Sequence, residues 1–249
     1  AITALSAALF FGQTAVAEEK AAEEVKPSHV EMVLVLDESG SMSDLTRDTI
    51  GGFNSMIEKE KKLDVDAHVT TVLFNDQYKM LYNRRELKDV SKMTDKDYTP
   101  GGMTALLDAV GRTIHKMDMV AGIHRKDKGN KVLFVIITDG EENDSKEYTY
   151  ADVKKLIKDR QENAGWEFIF LGANIDAAAA AENLGIDRDR AVKYKNTGSG
   201  VRANFKAVAE LSDSLAKSGR VSDRWKETVE KDDDDAADKQ SAAVTSHRR

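Results

Sequence analysis

Asp37, Ser39 and Ser41 lie within five residues of one another, Thr104 follows a Gly101-Gly102 turn, and Asp139 ends a later β-branched run just before Gly140. All five side chains carry oxygen, three as hydroxyls and two as carboxylates. Hard divalent cations prefer such donors, and magnesium, at about 2.0–2.1 Å from its ligands, keeps several waters because it dehydrates reluctantly. If the hydroxyls bind directly and the carboxylates act largely through water, the ion keeps net positive charge and calls for an external anion. A single aspartate at a strand end usually caps a turn. Two of them together with three hydroxyls point instead to a cation site.

Other chemistries find less support. The 249 residues contain no cysteine, which removes thiolate metal sites, disulfide scaffolds and thiol nucleophiles together. Lys and Arg number 37 against 44 Asp and Glu, a net charge of -7 without a long basic run, so no nucleic-acid footprint is expected. The histidines at 29, 68, 115, 124 and 247 show no paired ligand spacing, and no histidine site is expected. An aspartate closing a first strand also begins the haloacid dehalogenase-like phosphatases. Those need a second carboxylate two positions on, where this chain has Ser39. Neither a G-x-x-x-x-G-K phosphate loop nor a G-x-S-x-G nucleophile elbow occurs.

The elements that must position these oxygens follow from periodicity. Short apolar runs at Glu31 to Asp37, His68 to Phe74, Tyr78 to Asn83, Lys131 to Asp139, Trp166 to Gly172 and Ala191 to Tyr194 read as strands. They alternate with helical spacing: Leu107, Val110, Ile114 and Met117 after Thr104, and Val201, Phe205, Val208, Leu211 and Leu215 after Gly200. Asp176 reads as an N-cap, Ala177 to Leu184 as a short helix and Gly185 as its C′ residue. A helix from about Asp44 to Lys62 carries Gly51 and Gly52 inside it, and close packing against the sheet is the expected reason. The pattern is an α/β, Rossmann-like, doubly wound fold with a mostly parallel six-stranded sheet. The Asn75-Asp76 connection is too short for a crossover, so one edge strand is antiparallel. Ligands of such sheets sit at the carboxyl ends of the strands, near the point where strand order reverses, and Asp37 and Asp139 end strands there.

On these residues the chain resembles the von Willebrand factor A (VWA) domain with its metal-ion-dependent adhesion site. Asp37, Ser39 and Ser41 match D-x-S-x-S, Thr104 the distant threonine and Asp139 the later aspartate. The resemblance covers roughly His29 to Lys217, within a domain expected over 29–219. It is similar to bacterial and phage stand-alone members through Gly101-Gly102-Met103-Thr104-Ala105-Leu106-Leu107-Asp108 and Trp166-Glu167-Phe168-Ile169-Phe170-Leu171-Gly172-Ala173-Asn174. It implies Mg²⁺ or Mn²⁺ held by the serines directly, by the threonine directly or through water, and by the aspartates mainly through water. It also implies a protein partner whose Asp or Glu carboxylate completes the shell, and a final helix, here Gly200 to Gly219, that can move with the metal. A binding module rather than an enzyme is expected. A metal-dependent hydrolase of phosphatase type and a metal-stabilised structural subunit are the alternatives.

The ends read differently. Residues 1–17 are charge-free and close on Ala15-Val16-Ala17, the pattern of a partial signal peptide, and 18–28 form a polar linker. They imply an extracytoplasmic location, periplasmic or secreted, with no transmembrane segment in the mature chain; without a true signal the location would be cytoplasmic. Relatives of this subgroup usually look cytosolic. Residues 220–249, with the run Asp232 to Asp235, read as a disordered acidic tail. Glu141, Glu142 and Asp144 crowd the rim beside Asp139 and read as a solvated loop. Met42 and Met103, next to the motif, would pack beneath the loops or meet a partner.

Overall fold

The computed structural model describes residues 29–63, 65–120, 130–222 and 224–231. The expected signal segment, the linker and the Asp232 to Asp235 run lie outside the described residues. Among the described residues six strands form the sheet: β1 (His29–Asp37), β2 (Ala67–Phe74), β3 (Tyr78–Glu86), β4 (Asn130–Thr138), β5 (Glu167–Gly172) and β6 (Ala191–Lys193). Their spatial order is β3-β2-β1-β4-β5-β6. All pairings are parallel except β2 with β3, the antiparallel edge expected from the short connection.

Helices α1 (Thr46–Lys62), α2 (Leu106–Asp118), α3 (Tyr150–Asp159), α4 (Ala177–Leu184) and α5 (Gly198–Ser218) cover the two faces. Alternation along β1 divides the core. Val30, Met32, Leu34 and Leu36 pack with Phe53 and Met56 of α1 and Phe205 and Val208 of α5. Val33 and Val35 join Val110 and Ile114 of α2 and Val153 and Ile157 of α3 on the other face. With both faces buried, the central strands read as continuous apolar runs. Among the described residues no helix is long and apolar enough to cross a membrane.

Two expectations need correction. The glycine pair in α1 answers to a helix, not the sheet: a Cβ on Gly52 would stand 2.5 Å from Cδ2 of Phe205 on α5, while one on Gly51 would meet nothing within 4 Å. The expected boundary of the acidic tail at Arg220 is also too early. Val221, Trp225 and Val229 belong to the α1–α5 core, Trp225 only 1% exposed, and the last two lie on a helical segment over 225–231. Trp225 and Val229, one helical turn apart, bury one face there, and the surrounding charges hide that signal.

Candidate metal centre

The chain leaves β1 to build β2 and β3 on one side of it, then returns to lay β4 on the other. The carboxyl ends of β1 and β4 therefore flank the point where strand order reverses, and Asp37 and Asp139 meet there. Tyrosines pin both ends: Tyr98 Oη donates to the Asp37 carbonyl at 2.6 Å, and Tyr194 Oη to the Thr138 carbonyl at 3.3 Å.

The polar contacts bring four of the five sequence-derived residues into one chain of hydrogen bonds. Ser39 N donates to Asp37 Oδ1 at 2.7 Å, Ser39 Oγ and Ser41 Oγ lie 3.2 Å apart, and Ser41 Oγ donates to Asp139 Oδ1 at 2.5 Å. Thr104, the fifth, comes from a loop laced to the β1 end by Gly101 N to the Glu38 carbonyl (2.9 Å) and Gly40 N to the Gly102 carbonyl (3.2 Å). Its hydroxyl lies on the same side of Gly140 as that of Ser41: a Cβ built there would be 3.6 Å from Thr104 Oγ1 and 4.0 Å from Ser41 Oγ. Gly102 makes this loop possible, because its φ of +76° is costly for other residues and a Cβ would collide with the Asp76 carboxylate.

Asp37, Ser39, Thr104 and Asp139 are buried while Ser41 is exposed, so the oxygens form a cup open at Ser41. Burial pushes the Asp37 carboxyl above its ordinary value; hydrogen bonds from Ser39 and Thr138 oppose the rise, and the nearby charge of Asp139 adds to it. Two carboxylates thus share a poorly solvated floor with neutral hydroxyls around them, an environment that a cation relieves.

Two partners of the carboxylates escaped the sequence reading. Thr138 Oγ1 donates to Asp37 Oδ2 at 2.5 Å, and Asn196 Nδ2 donates to Asp139 Oδ2 at 3.3 Å. Thr138 was legible as the last residue of β4; Asn196 follows β6, and no local pattern connects it to Asp139. Asn174, in the left-handed region with φ 56°, donates to the Asp139 carbonyl at 3.3 Å. Asp176 caps α4 as expected, accepting from Ala179 N at 3.0 Å.

The acidic rim is more ordered than a solvated loop. Glu142 accepts from Leu107 N, Asp144 N, Ser145 N and Ser145 Oγ at 2.7–3.0 Å, tying the loop after β4 to the start of α2. Asn143 Oδ1 accepts from Thr104 N at 2.8 Å. Met42 is buried, and Met103 stands half exposed beside Thr104.

The histidines are not all scattered. His29 and His68 lie side by side at the amino end of the sheet, with Glu31 between them. The available signal was H-x-E on one face of β1, in register with a histidine on β2. His115 stands apart on α2; His124 and His247 lie outside the described residues.

Comparison with known proteins places the chain. A search of curated proteins finds no match. The fold is similar to the pilus adhesin SpaC of Lactobacillus rhamnosus GG in its open conformation, with TM-score 0.60, 14% identity and 78% of this chain covered. It is similar also to the vWF domain of the type V pili tip protein Mfa5 of Porphyromonas gingivalis (0.54, 12%, 79%) and to proximal thread matrix protein 1 of the mussel byssus with a zinc-occupied MIDAS motif (0.51, 13%, 74%). The matched region spans 31% of the SpaC chain, 99% of the Mfa5 domain and 45% of the byssus protein. A family model described as vWA-TerF-like, the vWA found in the TerF C terminus, matches residues 29–186, more than half of the sequence. With the doubly wound sheet, its antiparallel edge and this match, the chain belongs to the vWA-TerF-like family of VWA domains.

Proposed function

We propose that this chain is a recognition module in which Asp37, Ser39, Ser41, Thr104 and Asp139 hold a magnesium or manganese ion. A protein partner then donates an Asp or Glu carboxylate to the open side. The observation that carries this reading is the convergence of serine hydroxyls on two buried carboxylates, with only Ser41 of the set exposed. The donor set suits a hard cation. Bound there, the ion would supply a positive charge that the neutral hydroxyls leave largely uncompensated, and that charge is what an acidic side chain recognises.

The chain's own groups prepare the cup. Thr138 and Ser39 fix the Asp37 carboxylate, and Asn196 and Ser41 fix that of Asp139, so little ordering remains for the moment of binding. The half-exposed Met103 offers an apolar contact beside the open side. Binding is favoured over hydrolysis because the position two after Asp37 is a serine, where a phosphatase of this type carries its general acid or base carboxylate. The byssus protein with a zinc-occupied MIDAS motif supports a metal at this place in the fold. The export-like segment 1–17 supports a location outside the cytoplasm.

Affinity capture tests the proposal. With Mg²⁺ or Mn²⁺ present, a column of the chain should retain proteins that a chelator releases, and an Asp37→Ala column should retain none of them. Equal retention by both columns would overturn the reading.

A further inference from the structure

At the amino end of the sheet, opposite the oxygen cup, three ligand atoms form a compact triangle. His29 Nε2 and His68 Nδ1 are 2.8 Å apart, and each lies 3.3 Å from Glu31 Oε1. We propose that His29, Glu31 and His68 form a second metal site, selective for a zinc-class ion. A tetrahedral zinc with bonds of about 2.0–2.1 Å sets its donors about 3.3 Å apart. Two of the three edges already have that length, and the third opens by about 0.5 Å when an ion replaces a hydrogen bond.

The surroundings fit a built site. β1 and β2 hold the three side chains on one sheet face, Glu31 being the direct register partner of His68. Asp66 Oδ1 lies 3.0 Å from His29 Nδ1. A carboxylate on that nitrogen fixes the ring and directs Nε2 toward the triangle, as outer-sphere carboxylates do for zinc-bound imidazoles.

Arg84 reaches Glu31 with Nη2 2.5 Å from Oε1 and Nε 3.0 Å from Oε2. A carboxylate oxygen can accept this hydrogen bond and still ligate. Arg84 Nη2 also lies 3.2 Å from His68 Nδ1. Since arginine only donates, the His68 Nδ1 lone pair faces Arg84 in the metal-free chain, and His29, with Nδ1–H on Asp66, also carries the Nε2 proton between the rings. An entering ion takes the place of that proton, which leaves to solvent, and takes over the His68 lone pair from Arg84, whose guanidinium stays on the Glu31 carboxylate.

Access and selectivity follow from the same geometry. His29 and His68 line an open cleft of about 480 Å³ with Asp66 and Glu86, which gives an ion a path from solvent. Imidazole donors favour zinc over magnesium, the reverse of the hydroxyl cup, so one chain would sort two classes of ion to opposite ends of its sheet.

Zinc titration of the full chain tests the site. In an Asp37→Ala background, which disables the cup, the chain should bind one equivalent of Zn²⁺, and cobalt substitution should give the visible bands of tetrahedral Co²⁺. Adding His29→Ala or His68→Ala should weaken zinc at least tenfold, with the circular dichroism of the chelated protein unchanged. Asp66→Asn, at an exposed position, should weaken it about 10- to 100-fold. Should Asp37→Ala disturb the fold, the same histidine changes in the wild-type chain should each remove one equivalent. Zinc uptake that is absent, or indifferent to both histidine changes, would overturn the proposal.

Discussion

Replacing Glu60 by glutamine should make the fold more stable at pH 8 and flatten its pH dependence. Glu60 lies on α1, fully buried against α5. Ser212 Oγ donates to Oε2 at 2.8 Å, and Oε1 has no hydrogen-bond partner among the described residues. Burial raises the carboxyl from 4.5 to about 7; the bond from Ser212 opposes the rise and the charge of Asp213 adds to it. Between those two values the folded chain holds a proton that the unfolded chain has released, so unfolding free energy falls as pH rises through the window. Two and a half pH units at about 1.4 kcal/mol each set a ceiling of about 3 kcal/mol. At about 2–4 °C per kcal/mol for a domain of this size, the wild type should lose up to about 6–12 °C in Tm between pH 5 and pH 8 through this group. Glutamine keeps an acceptor for Ser212 and does not titrate. Thermal unfolding of both proteins across the range reads the difference, and parallel curves would refute the reasoning.

Gly52→Ala should lower stability by about 1–3 kcal/mol, because its Cβ meets the Phe205 ring at 2.5 Å, whereas Gly51→Ala should be neutral or stabilising; denaturant midpoints separate the two. Trp225→Ala should cost about 3–5 kcal/mol if the 225–231 segment is part of the core, and a change under 1 kcal/mol by the same assay would return it to the tail. Gly102→Ala should weaken magnesium binding well beyond its effect on Tm, since the strained turn carries Thr104; calorimetry against thermal melts shows which quantity moves.

The doubly wound sheet was legible because its strands are buried on both faces and its helices carry long apolar stripes: Val33 to Leu36 and Leu107 to Met117 each report local burial. The five oxygen-bearing residues were legible for the same reason, since each lies at a strand end or loop that the pattern locates. Helix α3 was not named, although Thr149 and Asp152 form a reciprocal capping box at its start; its short amphipathic stretch sits among charges. Asn196 on Asp139 and Phe205 over Gly52 were beyond reach, because both contacts join residues distant in sequence. The His29–Glu31–His68 triangle lay between these cases: H-x-E on β1 was visible, but pairing it with His68 requires the parallel register of β1 and β2.

Calorimetric titration with Mg²⁺ tests most directly whether Asp37, Ser39, Ser41, Thr104 and Asp139 hold a hard cation, because imidazole sites bind that ion poorly. The wild-type chain should take up one ion, and Asp37→Ala and the milder Ser41→Ala should each lose it. A wild-type chain that takes up no Mg²⁺ or Mn²⁺, or variants that bind as the wild type does, would contradict that assignment.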